Sequence, residues 1–389
     1  EMTEFFRAVL DTLLEFSPLL SNNISSKERK SILDRLGWAA SVYRQKIYQN
    51  GFEGCKQEIT IARLKKFTQV SLAFFEHSIR VNQRSDKLFH AYNLMTATET
   101  EVICSHLSEM LEGQVAVLSS GYLTSAEALG VLDGLRSSAL YRSDQNSYIL
   151  YPNKDLPGFL QKNNIPFSEA QKSDLIRKLV EDRNKEIVDQ DIHGGLHFNG
   201  NFKNAGDLSH ALNKLSGCGY RELVDRDRGL VLEIFENVFR HKEFTGRSGT
   251  FFSYEGLGSI YWHMVSKLLL AVQECCLKAL EEGADKEVTG RLMDHYYQIK
   301  AGIGVHKSPA LYGAFPTDPY SHTPMHRGAQ QPGMTGQVKE DILTWSGETG
   351  MVVKNGELSF NPLLLRKEEF LNEEQTFTYR KLGGGTGTI

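Results

Sequence analysis

The sequence predicts a mainly α-helical protein made of stacked helical hairpins, with small β-hairpin additions. Apolar residues recur at helical spacing through most of the 389 residues. Strand signals are few, strands do not alternate regularly with helices, and no glycine-rich phosphate loop opens a helix. Because the segments between the predicted helices are mostly short, neighbouring helices are expected to pack as antiparallel hairpins.

The first helices are predicted from apolar stripes around Thr3–Leu20, Lys27–Tyr48, Ile59–Ile79 and Thr98–Glu112. A further helix begins at Thr124, where Glu127 three residues later indicates a capping box. In such a box each side chain satisfies a backbone N–H at the start of the helix.

The later helices follow from the same pattern, and they are Ser168–Val180 with Ser168 as its cap, Ala205–Leu215, Tyr220–Phe239, Val288–Lys300 and Thr335–Thr344. The clearest helix runs from near Ser253 towards Glu282. Its apolar stripe is broad, which is typical of an inner helix that is buried on more than one side.

Two β-hairpins are predicted. Ile187–Phe198 has β-type residues around a Gly194–Gly195 turn, and Met351–Phe360 contains Asn355–Gly356, a pair that tolerates the positive φ of a primed turn. We expect a helical domain over residues 1–350 and a hairpin with a tail over 351–389. The chain has no methionine at position 1 and ends in a glycine-rich tail, so we expect it to be a fragment of a longer polypeptide.

Composition limits the function classes. The hydrophobic share of 40% is sufficient for a core, and the net charge of −4 disfavours a general nucleic-acid binder. The sequence has no apolar run long enough to span a membrane. The cysteines have no zinc-site spacing, and they are Cys55, Cys104, Cys218, Cys275 and Cys276. Buried free thiols in a reducing compartment are expected, which predicts a cytoplasmic protein.

The segment Ala301–Gln337 is too long for an ordinary connection, and it combines glycine and proline with aromatic, histidine and amide side chains. An ordered loop lining a pocket is therefore favoured over a flexible linker. The residues suited to a hydroxyl-rich ligand are Asp318, His322, Arg327, Gln330 and Gln331, and those suited to stacking on a sugar ring are Tyr312, Phe315 and Tyr320. The alternative is that these groups satisfy the loop's own backbone.

A metal site in this segment is disfavoured. The candidate ligands are His306, His322, His326 and Asp318. His322 and His326 have the spacing of a zinc pair on a helix, but Pro324 between them is incompatible with that helix. No metal is therefore predicted.

The segment Phe244–His263 precedes and enters the long helix, and its candidate residues are Arg247, Tyr254, Glu255, Trp262 and His263. Glu255 is either an ordinary first-turn acid or a catalytic acid or base. Catalysis would need a partner carboxylate, for which Asp318 is the best candidate. Asp191 is a third candidate and is more typical of a turn residue. A carboxylate separation of about 5–5.5 Å would indicate retention, and about 6.5–9.5 Å inversion.

Two smaller motifs have two interpretations each. In Leu88–Asn93 (LFHAYN), His90 and Tyr92 either bind a ligand or belong to a core of aromatics with one polar partner. Thr335–Gly336 precedes a helix, where free N–H groups favour a phosphate assisted by Arg327 or His326. A simple threonine N-cap is the alternative there.

Five stretches carry a family resemblance, and they are LFHAYN, MLEGQVAVLSSG, SALYRSDQNSYILYP, GRSGTFFSYEGLGSIYWHMVSKLLLAVQE and YGAFPTDPYSHTPMHRGAQQPGMTGQVKEDIL. Together they resemble the C-terminal part of large bacterial proteins related to six-hairpin glycosidases, a superfamily that includes cellobiose-phosphorylase-like enzymes. The resemblance implies an (α/α)6 toroid that binds carbohydrate at one mouth. The run GAQQPGMTG is similar to the phosphorylases' phosphate-side loop, which implies that His326 and Thr335 lie near phosphate.

One departure from the phosphorylase pattern concerns the acid, because no Asp-Trp-Asn-Asp type motif occurs here. The acid is then another residue of this chain, a residue outside it, or lost. A toroid does not by itself fix a chemistry.

We therefore expect a carbohydrate-active enzyme, a glycoside hydrolase or phosphorylase acting on an oligosaccharide. Glu255 and Asp318 are the predicted acid and base. No cofactor is expected, and inorganic phosphate is the co-substrate in the phosphorylase case. The predicted substrate-binding residues are His90, Tyr92, Arg247, Tyr254, Trp262, His263, Tyr312, Tyr320, His322, His326, Arg327, Gln330, Gln331 and Thr335. The alternatives are a non-catalytic sugar-binding or scaffolding toroid, and a helical protein–protein adaptor.

Overall fold

The fold is mainly α-helical with small antiparallel strand pairs, which confirms the predicted class. The computed structural model describes residues 1–52, 54, 56–152, 158–240, 260–303, 322–323 and 337–389. Its helices are α1 (Met2–Phe16), α2 (Ser26–Asn50), α3 (Ile61–Val81), α4 (Leu111–Leu118), α5 (Ser125–Ser137), α6 (Phe159–Lys162), α7 (Phe167–Ala170), α8 (Asp174–Glu181), α9 (Ala205–Ser216), α10 (Arg221–Phe239), α11 (Trp262–Glu281), α12 (Lys286–Gly302) and α13 (Gln337–Glu348). Short 3-10 helices cover Ser17–Ser21 and Lys367–Glu369.

The strands form two-stranded antiparallel pairs. They are β1 (Leu94–Ala97) with β2 (Val102–Ser105), β3 (Tyr141–Arg142) with β4 (Ser147–Tyr148), β5 (Val188–Gln190) with β6 (Leu196–Phe198), β7 (Ile260–Tyr261) with β8 (His322–Thr323), β9 (Met351–Lys354) with β10 (Glu357–Phe360), and β11 (Thr378–Arg380) with β12 (Thr386–Thr388). Both predicted hairpins are present. In the β9–β10 turn, Asn355 and Gly356 have φ values of 54° and 82°, as a primed turn requires.

The chain divides into two compact units. The first unit comprises Glu1–Pro152 and Gly258–Ile389, and the second comprises Asn153–Leu257. The second unit is therefore an insertion in the sequence between β4 and β7. The boundary that the sequence predicts at residue 350 stays a prediction.

Helix α11 lies at the centre of the first unit and packs against α4, α5, α12 and α13. Leu268, Val272 and Cys276 are fully buried, and apolar residues from the neighbouring helices complete the same core. The expectation that this helix is buried on more than one side is confirmed. Its predicted start near Ser253 is wrong, because Ile260 and Tyr261 form a strand and the helix begins at Trp262.

Helices α1 to α3 form a small separate cluster within the first unit. Leu10, Leu13 and Val70 are its buried residues. Arg80 on α3 donates hydrogen bonds of 2.8 and 3.0 Å to the Tyr122 hydroxyl in the α4–α5 connection. This contact connects the three helices to the central core.

The predicted helix Thr98–Glu112 is wrong. Leu94–Ala97 pairs with Val102–Ser105, and α4 begins only at Leu111. Thr98 closes the turn, because its Oγ1 accepts a hydrogen bond from the Glu101 N–H at 3.1 Å. The stripe in this segment was too short to distinguish a helix from a hairpin that contains the β-branched Val102 and Ile103.

The second unit packs α8, α9 and α10 with the β5–β6 hairpin around its own core, in which Leu175, Leu208 and Phe235 are fully buried. The predicted helix Ser168–Val180 is two short helices, and the cap of α8 is Ser173 instead of Ser168. The buried Asp227 carboxylate on α10 accepts hydrogen bonds from Ser173 Oγ and the Leu175 N–H. Burial disfavours its charge, but these bonds and Arg226 hold the pKa of Asp227 below its usual value.

The cysteines only partly follow the prediction. Cys275 and Cys276 are buried free thiols, whereas Cys104 is half-buried and Cys218 is exposed. Cys55 lies outside the described residues. Every helix in the described part of the chain is too short or too polar to cross a bilayer.

Candidate functional site

The β7–β8 pair brings part of the long loop to the start of α11. Ile260 is paired with Thr323, and Tyr261 with His322. Tyr261 also makes an edge-on ring contact with His263, at 4.9 Å between centroids. Trp262 is buried in the core, whereas His263 is half-buried. Three predicted binding residues thus lie at this end of the helix: the buried Trp262, His263, and His322 through its backbone.

The LFHAYN turn is held rigidly on the first turn of α4. The Gln114 side chain accepts a hydrogen bond from the Phe89 N–H and donates to the Phe89 carbonyl, both at 2.9 Å. A Cβ on Gly113 would lie 2.7 Å from Cβ of Ala91, so only glycine allows this approach. The fully buried Leu88 adds apolar contact beneath the turn. The backbone on both sides of His90 is therefore fixed.

His90 stacks on His106, with ring centroids 4.0 Å apart and an angle of 12° between the planes. His106 Nδ1 lies 3.0 Å from Asn93 Oδ1, and the Asn93 amide donates to Asn82 Oδ1 at 2.7 Å. His90 Nδ1 is buried and has no hydrogen-bond partner among the described residues. Burial, followed by the His106 and Arg84 charges, lowers the pKa of His90, which favours a neutral imidazole.

Tyr92 is the most exposed large side chain of this turn. Its side chain is 64% exposed and its φ is +54°, a conformation that costs a non-glycine residue free energy. Leu88 and Phe89 belong to the core, as the core interpretation of LFHAYN expects, and ligand binding by His90 and Tyr92 stays a prediction. The resulting surface offers imidazole and amide groups beside an exposed aromatic ring, which suits a polar ligand with apolar faces.

The His90 turn and the β7–β8 pair lie at the same end of the first unit. The Leu111 N–H at the start of α4 donates to the Leu150 carbonyl, just after β4, and β4 lies against β7. At the opposite end of α4, the Leu118 carbonyl accepts from the Cys275 thiol of α11. Helices α4 and α11 therefore run parallel, and their amino-terminal ends share this face.

Most of the predicted site falls outside the described residues, namely Arg247, Tyr254, Glu255, Tyr312, Asp318, Tyr320, His326, Arg327, Gln330, Gln331 and Thr335. Their predicted roles stay predictions. Asp191 is described, and it is the turn residue that the sequence favours. Its carboxylate accepts from the N–H groups of His193 and Gly195 at 2.8 Å.

Sequence analysis missed His106, because that residue was assigned to the incorrect helix Thr98–Glu112. It also missed a buried polar network between α12 and α13. There Glu348 accepts from the Tyr296 hydroxyl at 2.5 Å and from Lys300 at 2.6 Å. No local pattern could have paired residues so far apart in sequence. Within the described ranges, no three potential metal ligands cluster.

One comparison identifies the class of protein to which part of this chain is similar. Residues 156–242 match the family described as GH149 phosphorylase insertion domain 2. The matched segment lies within the second unit, which is itself an insertion in the first. The match supports a relationship to glycoside phosphorylases through this inserted unit. No curated protein matches the chain.

Proposed function

We propose that this chain is part of a glycoside phosphorylase, which breaks a glycosidic bond of an oligosaccharide with inorganic phosphate. The observation that carries the proposal is the match of the inserted unit to a phosphorylase insertion domain. The arrangement of the first unit supports it, because the polar loop pairs with the start of α11 at the end that carries the His90 turn. An (α/α)6 toroid within a longer, cytoplasmic polypeptide is part of the same proposal.

The chemistry assigns roles to the predicted residues. In phosphorolysis, phosphate oxygen attacks the anomeric carbon while a carboxylic acid protonates the departing glycosidic oxygen. With inversion, phosphate replaces the base-activated water of hydrolysis, so only one of Glu255 and Asp318 is required, as the acid; with retention, the other carboxylate would be the nucleophile. Thr335, His326 and Arg327 are the proposed phosphate contacts, and Tyr312 and Tyr320 the proposed stacking residues. His90, Tyr92 and His263 would contribute to sugar binding.

The test is a phosphate-dependent assay that measures release of sugar phosphate from β- and α-linked oligosaccharides by the full-length parent protein. Glu255→Gln and Asp318→Asn should leave the fold intact, and one of them should reduce turnover by about 10²–10⁴-fold. Glu281→Gln, an exposed carboxylate at the other end of α11, is the matched control and should retain activity. Full activity of both variants would refute the assignment of the acid.

A non-catalytic sugar-binding or scaffolding role is the second candidate, and two observations favour it. The match is to an insertion domain, and the sequence contains no Asp-Trp-Asn-Asp type motif. This role predicts saccharide binding in calorimetric titration without cleavage, whether phosphate is present or absent. Turnover that depends on phosphate would exclude it.

A further inference from the structure

The stack of His90 on His106 joins the LFHAYN turn to the base of the β1–β2 hairpin. His106 directly follows β2, next to the last residue pair of the hairpin, in which Leu94 is opposite Ser105. The two imidazole rings have centroids 4.0 Å apart and planes only 12° from parallel. The turn is anchored on α4 by Gln114, whereas all four residues of β1 are exposed. The stack therefore connects an exposed hairpin to a fixed turn.

Hydrogen bonds beside the stack fix the position of the proton on His106. The Asn93 amide nitrogen donates to Asn82 Oδ1 at 2.7 Å, so Asn93 Oδ1 is the atom that lies 3.0 Å from His106 Nδ1. An amide oxygen can only accept, and His106 therefore carries a proton on Nδ1. Because the neutral ring already has this proton, the contact is complete without a charge on His106.

The surroundings of His90 disfavour a second proton on its ring. Its Nδ1 is buried and has no hydrogen-bond partner among the described residues. The charged groups around it are Arg84 and Asp86 in the turn after α3, and Glu109 before α4. Arg84 forms ion pairs of 2.8 Å with Asp86 and 3.2 Å with Glu109. Both carboxylates are thus already paired with a guanidinium, and an imidazolium at His90 would add a second buried cation to this cluster.

The closed stack and an opened one differ in their affinity for protons. Burial, followed by the charges of His106 and Arg84, lowers the pKa of His90, and the opposing effects of the Leu107 backbone and Asp86 are smaller. When the stack opens, His90 enters water and its pKa returns to about 6.5. Because the closed form has the lower pKa, the open form binds more protons below about pH 6.5. The closed form therefore has its full stability above that pH and loses stability as the pH falls.

We propose that the His90–His106 stack is a pH-sensitive latch, which holds the β1–β2 hairpin against the LFHAYN turn at neutral pH and releases it on acidification. The latch is a property of the first unit and does not depend on the proposed catalytic activity. The turn also carries Tyr92, so release would change the candidate sugar-binding surface. Only this last consequence rests on the proposed function.

Native-state hydrogen exchange of the full chain tests the latch in peptides that cover residues 82–107, between pH 5 and 8, without sugar or phosphate. After correction for intrinsic rates, exchange should be constant above about pH 6.5 and should rise by up to about tenfold for each pH unit below it. His90→Phe keeps an aromatic ring in the stack but cannot take a proton, so its exchange should be nearly independent of pH. His77→Gln, on α3 of the same unit, is the matched control and should keep the wild-type profile.

His106→Phe is a second variant that also keeps a ring in the stack. It removes one of the charges that oppose protonation of His90, so the rise in exchange at pH 5 should be smaller than in the wild type. Circular dichroism melts establish that each variant is folded, and His106→Phe decides the matter if His90→Phe is not.

A flat wild-type profile, or a rise of equal size in both phenylalanine variants and the wild type, would overturn the proposal. An equal rise in peptides from α11 would also overturn it, because acid would then unfold the whole unit instead of opening the latch. The exchange profile does not involve Glu255 or Asp318. Loss or retention of activity in the variants of those two residues would leave it unchanged, so the two proposals fail separately.

Discussion

His197 in the second unit lies between two hydrogen-bond acceptors. Its Nδ1 faces the Asn163 carbonyl oxygen, and its Nε2 lies 3.0 Å from the Asp191 carboxylate. Both ring nitrogens are donors only in the imidazolium form. The Asn163 carbonyl, followed by the Asp191 carboxylate, therefore raises the pKa of His197 above its usual value. The same contact, together with the Gly195 and His193 N–H groups, lowers the pKa of Asp191 to about 2.

These shifts predict how the stability of the second unit depends on pH. A raised folded-state pKa means that the His197 contribution is full below the unfolded value of about 6.5 and is lost as pH rises through the folded value. The contribution of Asp191 to stability is present above about pH 3.8 and is lost as the pH falls through about 2. Stability from this pair is therefore expected to be greatest between about pH 4 and 6.5.

Native-state hydrogen exchange of peptides from residues 158–240, corrected for intrinsic rates, measures this dependence between pH 5 and 9. In His197→Gln, the stability of the second unit should fall less as the pH rises above 6.5, because glutamine does not titrate. His193→Asn, an exposed histidine in the same turn, should keep the wild-type profile. An unchanged profile in His197→Gln would contradict the assignment.

Single residues also show what sequence can and cannot specify. Thr124 and Glu127 form the predicted capping box, because their mutual contacts are only three residues apart. The His90–His106 stack was not predictable, since it depends on a tertiary contact between a turn and a hairpin. The positive φ of Tyr92 is likewise set by the anchored turn instead of by the residue's own preference.

At the scale of elements, long segments with a strong periodicity were predicted well and short ones were not. Helices α2, α3, α10 and α12 match their predicted segments closely, as does the Asn355–Gly356 hairpin. The helix predicted over Thr98–Glu112 was wrong because its few apolar residues fit both the helical period of 3.6 and the strand period of 2. The start of α11 was misplaced because Ile260 continues the apolar stripe of the helix although it belongs to β7. The boundary there is set by pairing with Thr323, which lies far away in the sequence.

Helix α11 is expected to contribute most to the stability of the first unit, and Leu268→Ala tests this. Leu268 is fully buried among residues of several helices, so its truncation should lower the free energy of unfolding by about 2–5 kcal/mol. Leu72 on α3 is 54% exposed, so Leu72→Ala is the matched control and should lower the free energy of unfolding much less. Chemical denaturation followed by tryptophan fluorescence measures both, because Trp262 begins α11. Equal losses in the two variants would show that the core is not centred on this helix.

At the scale of the whole molecule, the sequence predicted the helical class but not the insertion. The second unit separates β4 from β7, two strands that lie against each other in the first unit. Local periodicity cannot reveal such an arrangement, because each helix of an insertion resembles the helices around it. The length and polar content of Ala301–Gln337 singled out this segment as a candidate site, which stays a prediction; within it, the described residue His322 pairs with Tyr261.

The insertion predicts that residues 153–257 fold independently of the rest of the chain. The unit has its own buried core, and its size lies within the range of ordinary domains. The excised segment should show a cooperative thermal transition by circular dichroism and a dispersed amide spectrum by NMR.

Phe235→Ala, at a fully buried position, should lower the stability of the excised segment by about 3–5 kcal/mol. Leu160→Ala, at an 84% exposed position, is the control and should change it little. A non-cooperative melt of the wild-type segment would mean that this core requires contacts from outside residues 153–257, and the second unit would then not be an autonomous domain.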